Sequence, residues 1–123
     1  MKETTVWVDA WQMQCCGDAF IIGSKIEWDI VPYTFELPPV TEISSIDYYY
    51  DAHSAADTQT ITGTVTEIYS VYQKYELEPT GKVQIPVAGK LIKCDREADG
   101  WHTNIEEYRF AAYFVWVNDY EIA

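Results

Sequence analysis

Lys25-Ile26-Glu27-Trp28-Asp29-Ile30 alternates charged and apolar residues without a break. Successive side chains of a strand point to opposite faces, so Ile26, Trp28 and Ile30 share one face. The segment predicts a strand with one buried side, and its period of two serves to read the rest. Just upstream, Phe20-Ile21-Ile22 runs into Gly23-Ser24, where Gly23 can supply the positive φ of a tight turn. Thr5 to Asp9 reads as an opening strand. Thr60 to Val71 reads as a long one, with Ile61, Gly63 and Val65 on one face. Ile68 then falls on the opposite parity, so a bulge near Thr66-Glu67 is expected to absorb the slip and bend the strand. Lys82 to Val87 alternates, which predicts Val83, Ile85 and Val87 inward. Arg109 to Asn118 is apolar on both faces, the mark of a central strand or of one that shows a side to a partner.

Between these runs lie turn and loop signals. Pro38-Pro39 stops any regular element before Val40. Residues 51–59 and 95–104 are polar. No window keeps helical periodicity over three turns, and the one place left for a short helix is 51–59. Short apolar runs with frequent turn signals are the pattern of an all-β protein. The expectation is one domain over residues 1–123, a small SH3-like or OB-like barrel with long polar loops.

The bulk numbers agree with a globular chain. Of 123 residues, 48% are hydrophobic and 15% aromatic, with ten Tyr and five Trp, enough to fill one core. Eight basic against twenty acidic residues give a formal charge of −12. That charge repels phosphate backbones and anionic membrane surfaces. Lys90, Lys93 and Arg96, the densest basic group, abut Asp95, Glu97 and Asp99. Neither a nucleic-acid nor a membrane partner is expected. No stretch has the roughly 18 consecutive apolar residues of a membrane span, and the opening residues do not read as a signal peptide. Three Cys make no disulfide framework. Reduced thiols in a cytoplasmic protein are expected.

The most unusual segment is Trp11-Gln12-Met13-Gln14-Cys15-Cys16-Gly17, read as a loop. Three readings of its thiols compete. Free Cys is often buried, so Cys15 and Cys16 can be small core residues beneath Trp11 and Trp28. Residue type favours this reading. They can instead bind a metal with His53, His102 or Cys94, although adjacent Cys residues depart from the usual zinc spacing. One can act as a nucleophile with His53 or His102, but a thiolate needs a positive neighbour or helix N-terminus. A bond between the adjacent sulfurs is a further alternative under oxidation. Asp51 can orient His53 as a supporting carboxylate does; a solvent-exposed loop His is the plainer reading.

Tyr48-Tyr49-Tyr50 cannot all face one core, because alternate strand residues point apart. At least one ring is left for solvent or a partner. Tyr113, Phe114, Trp116 and Tyr120 form a second aromatic group. The many carboxylates read as a solvated surface, and no phosphate loop, dinucleotide fingerprint or nucleophile elbow is present.

The run from Trp11 to Phe20, continued by Gly23, Ile26 and Trp28, resembles the opening of an uncharacterised bacterial family with the pattern W-Q-M-[EQ]-C-C-G-x-x-F-x-x-G-x-x-V-x-W. Ile26 stands here for Val. Gly63-Thr64-Val65-Thr66-Glu67-Ile68 is similar to that family's G-x-V-x-x-I. The resemblance covers about a quarter of the chain. It implies a bacterial, standalone intracellular protein and carries no mechanism, since the family is a domain of unknown function.

The functional expectation is therefore a small acidic binding or interaction module without cofactor or metal. Its partner is expected to be a protein first and a small molecule second. Trp11, Gln12, Gln14, Cys15, Cys16, Tyr49, His53 and Trp101 are the candidate binding residues. Tyr113, Val115 and Val117 are the candidate interface of a homo-oligomer. No catalytic residue is assigned. The competing class is a metal- or thiol-dependent enzyme using Cys15 and Cys16 with His53.

Overall fold

The computed structural model describes residues 2–52 and 57–123. His53 lies outside them. The strands are β1 (Glu3–Asp9), β2 (Lys25–Pro32), β3 (Tyr48–Tyr50), β4 (Gln59–Leu77), β5 (Gln84–Lys93) and β6 (Arg109–Ile122), with one helix, α1 (Ala10–Cys15). Among the described residues the protein is all-β apart from that helix.

The strands form one sheet in the order β2-β3-β1-β6-β4-β5, and β2 also pairs with β4. Hydrogen-bonded neighbours thus lead from β2 through β3, β1, β6 and β4 back to β2. Every pairing in this circuit is antiparallel except β1 with β3. A closed circuit of five strands cannot alternate direction throughout, so an odd number of its pairings must be parallel. β1 with β3 meets that requirement.

β4 makes the closure possible. One of its edges serves β6 from Ile61 to Gln73. Its other edge serves β2 from Gln59 to Thr64, then β5 from Tyr69 to Leu77. Between those two partners the edge is still bonded. Gly23 N donates to Val65 O, Val65 N to Ser24 O, and Cys94 N to Ile68 O. The register with β6 shifts between Val65 and Glu67, so Thr66 is the extra residue there. The expected bulge is present, and it turns Val65 and Ile68 to the same core despite their opposite parity.

That core also holds Val6, Val8, Ile26, Trp28, Ile30, Ile61, Tyr113, Val115 and Val117. The alternation in β2 is borne out, with Ile26, Trp28 and Ile30 buried between exposed neighbours. Tyr113, Val115 and Val117 have no exposed surface. They fill the interior, so the expected homo-oligomer contact cannot form through them.

The opposite face of β1 and β6 is covered by the chain itself. Val40, Ile43 and Ile46, from the segment between β2 and β3, pack with Trp7, Val71, Ala112 and Phe114 in a second cluster. Asp47 fastens the segment. Its Oδ2 accepts from Thr4 Oγ1 at 2.8 Å and from Thr5 N at 3.1 Å, and Asp47 N donates to Thr5 Oγ1 at 3.0 Å. β6 is thus a central strand with a core on each side.

One strand departs from expectation. Val83, Ile85 and Val87 are exposed. β5 pairs only with β4, and these residues lie beside the far end of β4, beyond the core. Alternation there marks a face but not what the face meets.

Gly63 sits where β4 is bonded on both edges. A Cβ built on it would lie 2.6 Å from Val117 Cγ1, 3.0 Å from Asn118 O and 3.2 Å from Tyr120 Cα. Two of these three atoms are backbone and cannot swing away. Gly63→Ala is expected to destabilise by about 1–3 kcal/mol, read as a lower urea midpoint. An unchanged midpoint would mean that β4 and β6 do not approach this closely.

Candidate functional site

The segment expected as a loop after β1 is helix α1. Six residues are too few to show a helical period, which explains why the pattern was not readable. Gln12 and Met13 turn inward and Trp11, Gln14 and Cys15 outward. Gln12 is completely buried. Its Nε2 donates to Tyr50 O at 2.6 Å and Tyr49 Oη at 3.1 Å, while its Oε1 accepts from Ala52 N at 2.8 Å. It is a bracket between α1 and the chain around β3. It presents no surface to a ligand. Gln14 Nε2 donates to Gly100 O at 2.8 Å, tying α1 to the loop 95–104.

Cys15 and Cys16 are both exposed and bonded to each other, while Cys94 is the buried free cysteine. The space-filling reading of the pair is therefore corrected. Cys16 N and Gly17 N both donate to Gln12 O, so the chain turns at the end of α1 and carries both sulfurs away from the core. Cys16 borders a cavity of about 220 Å³, shared with Asp18, Ser24, Lys25, Glu27, Trp28 and Tyr50. Among the described residues there is no group of three His, Cys, Asp or Glu placed to hold a metal.

Trp101 is 65% exposed on the loop 95–104. Beside it, His102 is engaged on both ring nitrogens. Arg96 Nη2 lies 2.8 Å from Nδ1, and Tyr113 Oη lies 2.6 Å from Nε2. Guanidinium only donates, so Nδ1 accepts and Nε2 carries the proton. Tyr113 Oη also accepts from Gly100 N at 2.9 Å. Burial, then Arg96, pushes the His102 pKa below its ordinary value, against a smaller opposing pull from Asp99. Burial holds Tyr113 firmly as a neutral phenol. This network secures the loop across the end of the core.

A different constellation forms where β1, β3 and the segment after β2 meet. Trp7, Asp9, Tyr33, Phe35 and Tyr49 line a cavity of about 240 Å³. Trp7 and Tyr33 stand edge to face at 6.3 Å, Tyr33 and Phe35 at 5.4 Å, and Phe35 and Tyr49 at 5.1 Å. Asp9 immediately precedes α1, yet its carboxylate makes no cap bond to the helix. It turns instead to these rings. Oδ1 accepts from Trp7 Nε1 at 2.9 Å and Oδ2 accepts from Tyr49 Oη at 2.5 Å. Burial and the Asp9 bond keep Tyr49 protonated well beyond the ordinary phenol range. Phe35, 58% exposed, forms the outer wall.

Of the expected binding residues, Tyr49 belongs to this constellation, and Gln12 supports it through the Tyr49 hydroxyl. Trp11, Gln14, Cys15 and Cys16 lie on α1 and its end, with Trp101 on the loop that Gln14 holds. Trp7, Asp9, Tyr33 and Phe35 were missed. Trp7 and Asp9 share a face at strand spacing, a signal that was available. Nothing in the pattern brings Tyr33 and Phe35 to them.

The molecule is an all-β protein with a ring-lined cavity at one edge of β1. The chain belongs to a family of unknown function, DUF6578, whose model matches residues 2–119. Membership of an uncharacterised family, as the resemblance implied, thus covers nearly the whole chain. No curated protein and no solved structure matches the chain. Among the described residues, no helix is long and apolar enough to cross a membrane.

Two outcomes are expected. Gln12→Ala strands the groups that Gln12 satisfies and is expected to cost at least about 2 kcal/mol. Replacing Cys15 and Cys16 together by Ser is expected to change stability by under about 0.5 kcal/mol. Urea unfolding of both variants under reducing conditions checks this, and a reversed order would return the cysteines to the core.

A further outcome concerns pH. With its folded pKa depressed below 6.5, His102 favours the folded state while neutral. That contribution is present above pH 6.5 and is lost as pH falls below it. Urea midpoints at pH 7.5 and 5.5 are expected to differ less in His102→Gln than in the parent. An identical drop in both would assign it to other groups.

Proposed function

We propose that this chain is a small acidic binding module on an OB-like barrel, with the Trp7, Tyr33, Phe35 and Tyr49 wall as its ligand face. The closed circuit of β1, β3, β2, β4 and β6 supports a barrel, as does the bent β4 shared between its neighbours. Five strands with α1 packed near one end suit the OB-like alternative better than the SH3-like one. That is a fold analogy and assigns no ligand.

The observation that carries the reading is the cavity itself. Trp7 is buried, Phe35 is largely exposed, and the rings between them are half-buried, so the walls grade from core to solvent. Hydrogen bonds hold three of the four rings, through Trp7 Nε1, Tyr49 Oη and Tyr33 Oη, which donates to Glu36 O at 2.9 Å. Walls fixed before binding lower the cost of ordering a ligand. The cavity's size favours a small molecule or a single projecting side chain over a broad protein interface. The expected lack of a nucleic-acid partner rests on the −12 charge.

The thiol-dependent alternative keeps one supporting observation, the exposure of Cys15 and Cys16, and it requires the bond between them to be reduced first. His102 gives it no help, being committed to Arg96 and Tyr113.

A fragment set of aromatic, neutral and cationic compounds, followed by NMR on 15N-labelled protein, tests the proposal. The Trp7 indole N–H is expected to shift saturably, and Phe35→Ala is expected to weaken the response. Fragments that instead shift Trp28, beside the Cys16 cavity, and ignore Phe35→Ala would move the ligand face to the other site.

A further inference from the structure

We infer that the cavity of Trp7, Tyr33, Phe35 and Tyr49 with Asp9 is a cage for a methylated ammonium group. This rests on the reading of that wall as the ligand face, and it names the chemistry the wall would take. Three features of the walls carry it.

The first is the arrangement of the rings. Successive pairs meet at 61°, 80° and 62°, so the four rings turn around a space and do not stack into a slab. A cation near an aromatic face is attracted by the ring quadrupole, and several faces around one space add their attraction.

The second is the charge. The Asp9 carboxylate lines the cavity, and among the described residues the only ion pair joins Lys74 to Glu107. Asp9 thus has no basic partner there, and its charge stays available to a ligand. The chain as a whole carries −12. An anionic ligand would be repelled. A neutral apolar one would take the carboxylate further out of water without supplying an opposite charge.

The third is the state of the polar groups. The Trp7 N–H and Tyr49 O–H are given to Asp9, and the Tyr33 O–H is given to Glu36 O. The walls therefore offer faces and a negative charge, with their own donors already committed. A sugar, carboxylate or phosphate needs donors that this cavity has spent on itself. A methylated ammonium needs none. It spreads its charge over methyl groups that pack against rings, and it has little or no N–H of its own to satisfy. Free and peptide-borne methylated ammonium groups share this chemistry.

The test is a titration of 15N-labelled protein with choline, at ionic strength held constant with sodium chloride. A second arm uses a short peptide bearing trimethyllysine. The Trp7 indole signal is expected to shift saturably in at least one arm while the exposed Trp101 signal stays still. The arm that binds more tightly identifies the source. The neutral isostere 3,3-dimethylbutan-1-ol is expected to bind more weakly by on the order of tenfold. Phe35→Ala, at an exposed position, is expected to weaken choline or peptide binding by a similar factor. Asp9→Asn keeps the side-chain shape and is expected to weaken it several-fold. If the neutral isostere binds as well as choline, or only uncharged aromatic fragments reach Trp7, the cation inference falls and the ligand face stands. If no fragment or cation moves Trp7, both fall together.

Discussion

One strand has to satisfy three others. β4 must hold β6 along one edge and both β2 and β5 along the other, and a straight strand of 19 residues could not meet β2 and β6 around one core. The bend is taken up where Thr66 is left over in the register and where Gly63 lets β6 come close. Everything inside the circuit depends on that bend. Val65 and Ile68 reach the same core only because one residue between them is unpaired. The side chain missing from Gly63 and the residue added at Thr66 are two parts of a single device.

A second consequence concerns β1 and β6. Once the circuit encloses one core, the outer sides of these strands are left apolar, with Trp7, Ala112 and Phe114 pointing away from it. The chain uses its own 33–47 segment as the cover. That cover is anchored at Asp47 and seated by Val40, Ile43 and Ile46. It is incomplete near Tyr33 and Phe35, and there the ring-lined cavity opens. The cavity is the margin of a self-made second core, which places preformed walls beside solvent.

The parts of this legible beforehand were those governed by periodicity. The alternation in β2 and the parity slip in β4 each had one physical explanation, and each holds; of the two readings of β6, a central strand or one showing a side to a partner, the central strand is found. Alternation failed for Val83, Ile85 and Val87 because it cannot say whether a face meets a core or overhangs it. The helix α1 was invisible because it makes under two turns and owes its place to Gln12 and Met13 wedged against the sheet. The cysteine pair misled for a different reason. Burial statistics describe a residue type, whereas the turn at Gly17 decides where these two sulfurs go. The ring-lined cavity joins Trp7 to Phe35 across a segment with no period, and only Tyr49 was named from the sequence. Long-range meetings of that kind leave no local trace.

The strand β5 ends the sheet, and a terminal strand with apolar residues is a template on which further chains can polymerise. Here the template is spoiled. Pro86 has no N–H to offer, the register slips beside it so that Val87 is unpaired, and Lys90 and Lys93 follow on the same strand. The overhanging hairpin can therefore display Ile85 and Val87 to water without inviting a second molecule to extend the array.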